Sequence, residues 1–329
     1  MTSILVAPDS FKGTFSAVEV AAHISAGIRE QGLTAIECPL ADGGEGTLEI
    51  LLHALQGVSK FESVQGPFGQ NVDARWGWVA KQRLAIIEVA QVCGLKFSGR
   101  TPTDALVATT AGVGELLIAA AALGAKRIVV ATGGSATTDA GLGAVDSLKG
   151  SEDSLAGIRI EVLSDVTVNF EDAATLFAPQ KGADPATVGL LSERLDRTAD
   201  LYAKSYGRDP RHLTQTGAAG GLSGALWAAL GATLFSGSDY ILDLVGFDER
   251  ARSADAVVLG EGRLDSQSSL GKIVGVAASR VHDRPVFAVV GSTSLDAEQT
   301  NALGLSRVWV ASTAMELRTS GHRVSKFLR

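Results

Sequence analysis

Four short stretches gather the residue types that handle phosphate and carboxylate groups: PDSFKGT at 8–14, ADGGEGT at 41–47, TGGSATTDAG at 132–141 and GEGRLDS at 260–266. Each follows an apolar, strand-like run. Glycine lets backbone N–H groups approach an anion closely, hydroxyls and lysine add donors, and a helix N-terminus behind the turn adds a positive dipole end. In open parallel sheets, ligands bind beyond the carboxyl ends of the strands, which is where these turns fall. One such turn is more often a well-capped turn than a site; four of them, each with a carboxylate, point to shared chemistry. The carboxylates are Asp9, Asp42, Glu45, Asp139, Asp165, Glu261 and Asp265, and the cations are Lys12, Lys181, Arg263 and Lys272. Converging carboxylates hold a divalent cation or take a proton from a hydroxyl nucleophile. Converging cations give an anionic substrate local positive charge on a chain of net charge −7. Any one of these groups alone is more often a helix cap or a solvated surface charge.

Other chemistries find no support. No turn matches GxxxxGK[ST] or GxGxxG; GGSATTDAGLG at 133–143 has the wrong glycine spacing for the latter. His23, His53, His212, His282 and His322 form no HxxxH pattern, which argues against zinc, and Ser10 and Ser135 lack a GxSxG setting. Cys38 and Cys93 sit in apolar stretches and read as buried thiols. Lysine and arginine are scattered singly, so nucleic acid and anionic membrane are poor partners. No charged-then-apolar leader opens the chain, and the longest apolar run, Leu116 to Ala125, is far too short to span a bilayer. The expectation is a cytoplasmic protein.

The elements that must position these turns read as follows. With 329 residues, 46% hydrophobic content and 38 glycines, the chain suits an α/β enzyme of about two domains. Strand Ser3–Ala7 leads to a helix with a Ser16/Glu19 capping box and an inner face of Val18, Ala21, Ser25 and Ile28. Strand Ala35–Leu40 and a helix carrying Leu48, Leu51, Leu52 and Leu55 follow. From about residue 61 the runs FESVQ, VDARWGWVA and LAIIEVA predict an antiparallel meander. A long helix is expected from Asp104 to Leu123, then strands RIVVAT and IRIEVLS. Next comes a helix with Asp184 as N-cap, Pro185 at N1, and Val188, Leu191, Leu195 and Tyr202 inward. Past about residue 255 the alternation returns with AVVLG, a helix from Ser269, PVFAVVG and RVWVA. The predicted fold is two α/β domains. A doubly wound, Rossmann-like domain is split between 1–62 and 255–329, and a mixed-sheet α/β domain, 63–254, is inserted in it.

The chain resembles the type I bacterial glycerate kinases at APDSFKG (7–13), ADGGEGT (41–47), GGSATTDAG (133–141), PQKGA (179–183), GAAGGL (217–222) and GEGRLDSQSSLGK (260–272), in that family's order and over essentially its whole length. The resemblance implies ATP- and Mg²⁺-dependent phosphorylation of D-glycerate, generally to 2-phosphoglycerate, in a cleft between the two domains. Under it Asp165 is the first candidate general base, with Lys12 and Asp42 beside it in catalysis. Asp9, Ser10, Gly43, Gly44, Gly133, Gly134, Ser135, Thr138 and Lys181 would contact the nucleotide. Glu45, Glu261 and Arg263 would contact glycerate, with Lys181 an alternative to Arg263 for its carboxylate, and Asp42 and Asp265 would hold Mg²⁺. Which turn takes the nucleotide, whether transfer is to the 2- or 3-hydroxyl, and whether the chain self-associates stay open. Departures are Thr138 and Ala140 in GGSATTDAG, a shortened loop after Asp165 in SDVTVNFEDAATLF, Ser266, and Ile273–Val274. The rival readings are a glycerate- or nucleotide-binding protein with impaired catalysis, and a kinase for a related small hydroxy acid.

Overall fold

The structure is a computed structural model that describes residues 2–265 and 273–328. Its strands in chain order are β1 (Ser3–Pro8), β2 (Thr34–Glu37), β3 (Val58–Gln65), β4 (Asn71–Val79), β5 (Leu84–Glu88), β6 (Arg127–Ala131), β7 (Arg159–Leu163), β8 (Thr233–Phe235), β9 (Ala256–Leu264), β10 (Val286–Thr293) and β11 (Arg307–Val310). Ile4, Leu5 and Val6 of β1 are fully buried, as an all-apolar strand in a parallel sheet covered on both faces must be. The first sheet runs β11-β10-β9-β1-β2, all parallel. Counted in sequence within that sheet, the order is 2-1-3-4-5, a doubly wound arrangement whose direction of winding reverses between β1 and β9. The second sheet runs β3-β4-β5-β6-β7-β8, antiparallel from β3 to β5 and parallel from β5 to β8. The architecture is mixed α/β.

Two compact units result, Met1–Asp42 with Ser238–Arg329, and Gly43–Gly237. The divide precedes helix Thr47–Leu55 because that helix packs on β4 and β5 of the second sheet. The first unit has its own core, with Ile4, Val6, Val20, Ile24, Phe287 and Val289 among its members. The second holds one apolar cluster around Ile87, Leu116, Val130 and Leu222 and another around Phe170, Leu195 and Tyr202.

Local signals place several helix starts. Helix Ala17–Glu30 opens on the expected capping box: Ser16 Oγ accepts the Glu19 N–H, and the Glu19 carboxylate accepts the Ser16 N–H at 2.8 Å. Its buried stripe passes through Val20 and Ile24, with Val18 half-buried beside it. Helix Pro185–Tyr206 is capped by Asp184, which accepts the Thr187 N–H at 2.8 Å. The long helix expected from Asp104 to Leu123 is two helices, Pro102–Val107 and Ala111–Ala122. The Asp139 carboxylate breaks it by taking the Thr110 N–H and hydroxyl at 2.8 and 2.9 Å. β5 stops at Glu88, where Val89–Cys93 turns helical. The helix start expected at Ser269 lies outside the described residues; Ile273–Ser279 is helical. Among the described residues no helix is long and apolar enough to cross a membrane. Cys38 and Cys93 are buried thiols, and burial pushes Cys38 up to about 11.

Candidate active site

In the first unit, the chain leaves β1 at Pro8 and the Asp9 N–H donates to Gly260 O of β9 at 2.8 Å. Phe11 is buried and anchors the turn, while the Thr14 N–H and hydroxyl both donate to Phe11 O at 2.8 Å. Gly13 has φ +83° with open space where a Cβ would stand, so here glycine serves the left-handed backbone rather than a close contact. At Gly262 the reverse holds: a Cβ there would lie 3.3 Å from Lys12 N and Phe11 Cα, and its absence lets the turn sit against β9. The result is a cavity of about 410 Å³ walled by Asp9, Ser10, Lys12, Asp42, Glu261 and Arg263, with Gly291 and Ser292 from β10. It stands at the carboxyl ends of β1, β9 and β10, where the winding of the sheet reverses.

The charges in this cavity oppose one another. Asp9 is only 6% exposed. Burial first, and then the neighbouring Asp42 charge, hold its pKa well above the usual carboxylate range, with Glu261 adding to the effect. The Ser10 N–H, 2.6 Å from Asp9 Oδ1, and the charge of Lys12 pull the other way. Lys12 Nζ lies 3.7 Å from Asp42 Oδ2. Asp265 Oδ2 lies 3.4 Å from Nε of Arg263, a residue of the cavity wall.

In the second unit, two of the glycine-rich turns meet. A Cβ on Gly133 would lie 2.4 Å from Gly44 Cα, and one on Gly43 would lie 3.0 Å from Gly237 Cα and 3.2 Å from Leu163 Cβ at the end of β7. Behind them, internal carboxylates hold the helix N-termini. Glu88 accepts the N–H groups of Gly46 and Leu48 at 3.1 and 3.0 Å, at the start of helix Thr47–Leu55. Asp139 accepts the Thr110, Gly141 and Gly143 N–H groups at 2.8, 3.0 and 3.1 Å. Lys181 points inward: 3% exposed, it donates to Thr137 O at 2.5 Å and Ser135 Oγ at 3.3 Å, and burial drops its pKa to about 8. Thr138 is fully buried, and its hydroxyl finds no hydrogen-bond partner among the described residues. Asp165 is half-buried, with Oδ1 accepting the Ser236 hydroxyl at 3.1 Å, and Glu45 is exposed.

The sequence matches the glycerate kinase family over residues 4–152 and 145–329. The chain belongs to the glycerate kinase family. Glycerate 2-kinase of Escherichia coli is 35% identical over 346 residues, covering 95% of this chain and 91% of that protein. Glycerate kinase of Bacillus subtilis is 35% identical over 340 residues, with 93% and 89% covered. The crystal structure of a candidate glycerate kinase 2 from Salmonella typhimurium superposes with a TM-score of 0.83 at 34% identity, over 99% of this chain and 98% of that one.

For a glycerate kinase family member, the residues singled out in the sequence now sort by environment. Asp9, Ser10, Lys12, Asp42, Glu261 and Arg263 are brought together around one cavity. Lys181 and Asp139 face inward as fasteners of the 132–141 turn, and Lys272 lies outside the described residues. The hard oxygen donors Asp9, Asp42 and Glu261 share a wall, and the charges of Asp42 and Glu261 both act against an ionised Asp9, which fits Mg²⁺ held by one or two carboxylates and completed by phosphate oxygens. Among the described residues no three His, Cys, Asp or Glu side chains close into a metal cage by themselves. Two residues that hold candidate site groups, Glu88 and Ser236, were not singled out in the sequence. Glu88 showed itself only as a lone acid ending the apolar run LAIIE, and Ser236 gave no signal.

Proposed function

We propose that this protein transfers the γ-phosphoryl group of ATP to D-glycerate, forming 2-phosphoglycerate. The observation that carries the reading is the cavity at the reversal point of the first sheet, where Lys12 and Arg263 stand beside three carboxylates. Phosphoryl transfer calls for charge neutralisation and alignment more than covalent catalysis. Lys12 donates to a phosphate oxygen. Arg263 pairs with the glycerate carboxylate, for which a guanidinium offers two parallel N–H donors. Asp9, whose proton affinity is raised, accepts the hydroxyl proton as the glycerate oxygen bonds to phosphorus and the bond to the ADP oxygen breaks. Mg²⁺ bound by Asp42 and Glu261 would supply charge neutralisation on the phosphates. Gly43, Gly44, Gly133, Gly134 and Ser135 keep their proposed role of offering backbone N–H groups to the nucleotide, with Lys181 and Thr138 shaping that turn. Asp165, fixed by Ser236, is the alternative base.

A coupled ADP-release assay with D-glycerate, tartronate and longer aldonates, followed by ³¹P NMR of the product, tests this. D-glycerate should be the preferred acceptor and the product signal that of the 2-phosphate. Preference for another acid, or calorimetric binding of glycerate and ATP without turnover, would overturn it. In the same assay Lys12→Ala should lower kcat/KM by roughly 10²-fold or more; near-normal kinetics would remove Lys12 from the phosphate site.

A further inference from the structure

Among the described residues one of the two edges of the second sheet is β3, and residues 58–63 are all exposed, with Phe61 at 67% and Val58 at 55%. Its register with β4 runs unbroken from Val58 opposite Trp78 to Gln65 opposite Asn71, so the edge is long and regular. Such an edge presents N–H and C=O groups on which another strand can form. The hairpin sets which groups those are. The Gly66 N–H donates to Gln70 O at 2.6 Å, so alternation turns the backbone groups of 64, 62, 60 and 58 toward β4 and those of 63, 61 and 59 outward. The next outward N–H, that of Gln65, is already held by the Glu115 carboxylate at 2.9 Å. The available edge is therefore 59–63.

The residues over this edge read VSKFESV, 58–64. The string is its own reverse about Phe61, except that Lys60 mirrors Glu62. In an antiparallel pair of two such strands with a two-fold axis at Phe61, the phenylalanines face each other and Ser59 faces Ser63. Val58 faces Val64, and Lys60 of each copy faces Glu62 of the other. The outward backbone groups of 59, 61 and 63 then meet those of 63, 61 and 59, so the ladder closes with the side-chain pairs in register. Opposite charges directly across a strand pair attract, and like charges repel. A second copy of this chain supplies that complement without any further partner.

We propose that β3 pairs with β3 of a second copy about a two-fold axis at Phe61, joining the two second-unit sheets into one and making the protein a homodimer. The contact is isologous, so every side-chain pair away from the axis occurs twice. One strand pair buries less than the roughly 1,200 Å² of stable complexes, and the dimer therefore dissociates at micromolar concentrations. Sedimentation equilibrium from about 1 to 100 µM on the wild type, Lys60→Glu, Glu62→Lys and the double variant tests the proposal. The wild type should associate to twice the mass of one chain. Each single variant should weaken association by about tenfold or more, because two attractions become two repulsions. The double variant should restore it by exchanging the charges. These side chains are exposed and lie outside the proposed site, so far-UV circular dichroism and kinase activity should be unchanged in all four proteins. A wild type that stays monomeric, a single variant that associates normally, or a double variant that fails to recover would each overturn the proposal.

Discussion

At the scale of single residues, Asp9 carries the sharpest consequence. Its carboxyl is buried at the end of β1 and faces the charges of Asp42 and Glu261, so the folded protein binds its proton more tightly than the unfolded chain does. A carboxylate whose folded pKa is raised contributes its full stability below the unfolded value near 3.8, and that contribution is lost as pH rises through the folded pKa. As pH rises through that folded pKa, ionisation of Asp9 thus strains the fold in return for a base of raised proton affinity. Asp9→Asn keeps the acceptor for the Ser10 N–H and removes the charge. We expect a higher Tm than wild type near pH 7, a difference that shrinks toward pH 4, and a fall of roughly 10²-fold or more in kcat with a smaller change in KM. Thermal melts across that pH range and steady-state kinetics check both halves. Should Asp165→Asn abolish turnover while Asp9→Asn leaves it intact, the base is Asp165. The chemical type of the site residues was legible because a turn rich in glycine, hydroxyl and charge is a local feature. Their environments were not: nothing in ADGGEGT or GEGRLDS tells that Asp42 and Glu261 would share a wall with Asp9, or that Asp265 would lie against Arg263.

At the scale of elements, the glycine-rich turns depend on acids far away in the chain. Glu88, 42 and 40 residues from Gly46 and Leu48, holds the first N–H groups of the helix behind the 41–47 turn. Those groups are then unavailable to a phosphate. Removing the acceptor while the donors stay buried costs about 1–3 kcal/mol. Glu88→Ala is expected to lose that much in denaturant unfolding and to lower kcat as the turn shifts. Glu88→Gln, which keeps one acceptor oxygen, should recover most of both. Equal behaviour of the two variants would show that Glu88 caps nothing that matters to the turn. The contrast with Ser16 and Glu19 explains what could be read beforehand. That capping box closes over three residues, so its sequence pattern and its geometry coincide. The Asp139 bond to Thr110 spans 29 residues and the Lys181 bond to Thr137 spans 44. A helix continuous in pattern from Asp104 to Leu123 was therefore broken by a partner its own sequence does not show.

At the scale of the whole molecule, the return of strand–helix alternation after residue 255 led to the expectation of a first domain split between 1–62 and 255–329, and the compact units are Met1–Asp42 with Ser238–Arg329, and Gly43–Gly237. The expected boundary at residue 62 placed helix Thr47–Leu55 in the first domain, although its leucine face suits either sheet. Its packing on β4 and β5 assigns it to the second unit, which then runs without interruption from Gly43 to Gly237. The two ends of that segment are adjacent, for a Cβ on Gly43 would come within 3.0 Å of Gly237 Cα. Chain segments with adjacent ends and their own core are the ones that tolerate insertion or excision. The second unit has two apolar clusters of its own and a sheet whose strands all lie within it. Residues 43–237 expressed alone are therefore expected to fold. Circular dichroism should show one cooperative thermal transition, and hydrogen exchange should protect β5, β6 and β7, the interior parallel strands of the sheet, most strongly. A fragment with helical and strand signal but no cooperative melt would mean that the second unit takes its stability from the first, and that the boundary at Asp42 divides contacts without dividing the folding free energy.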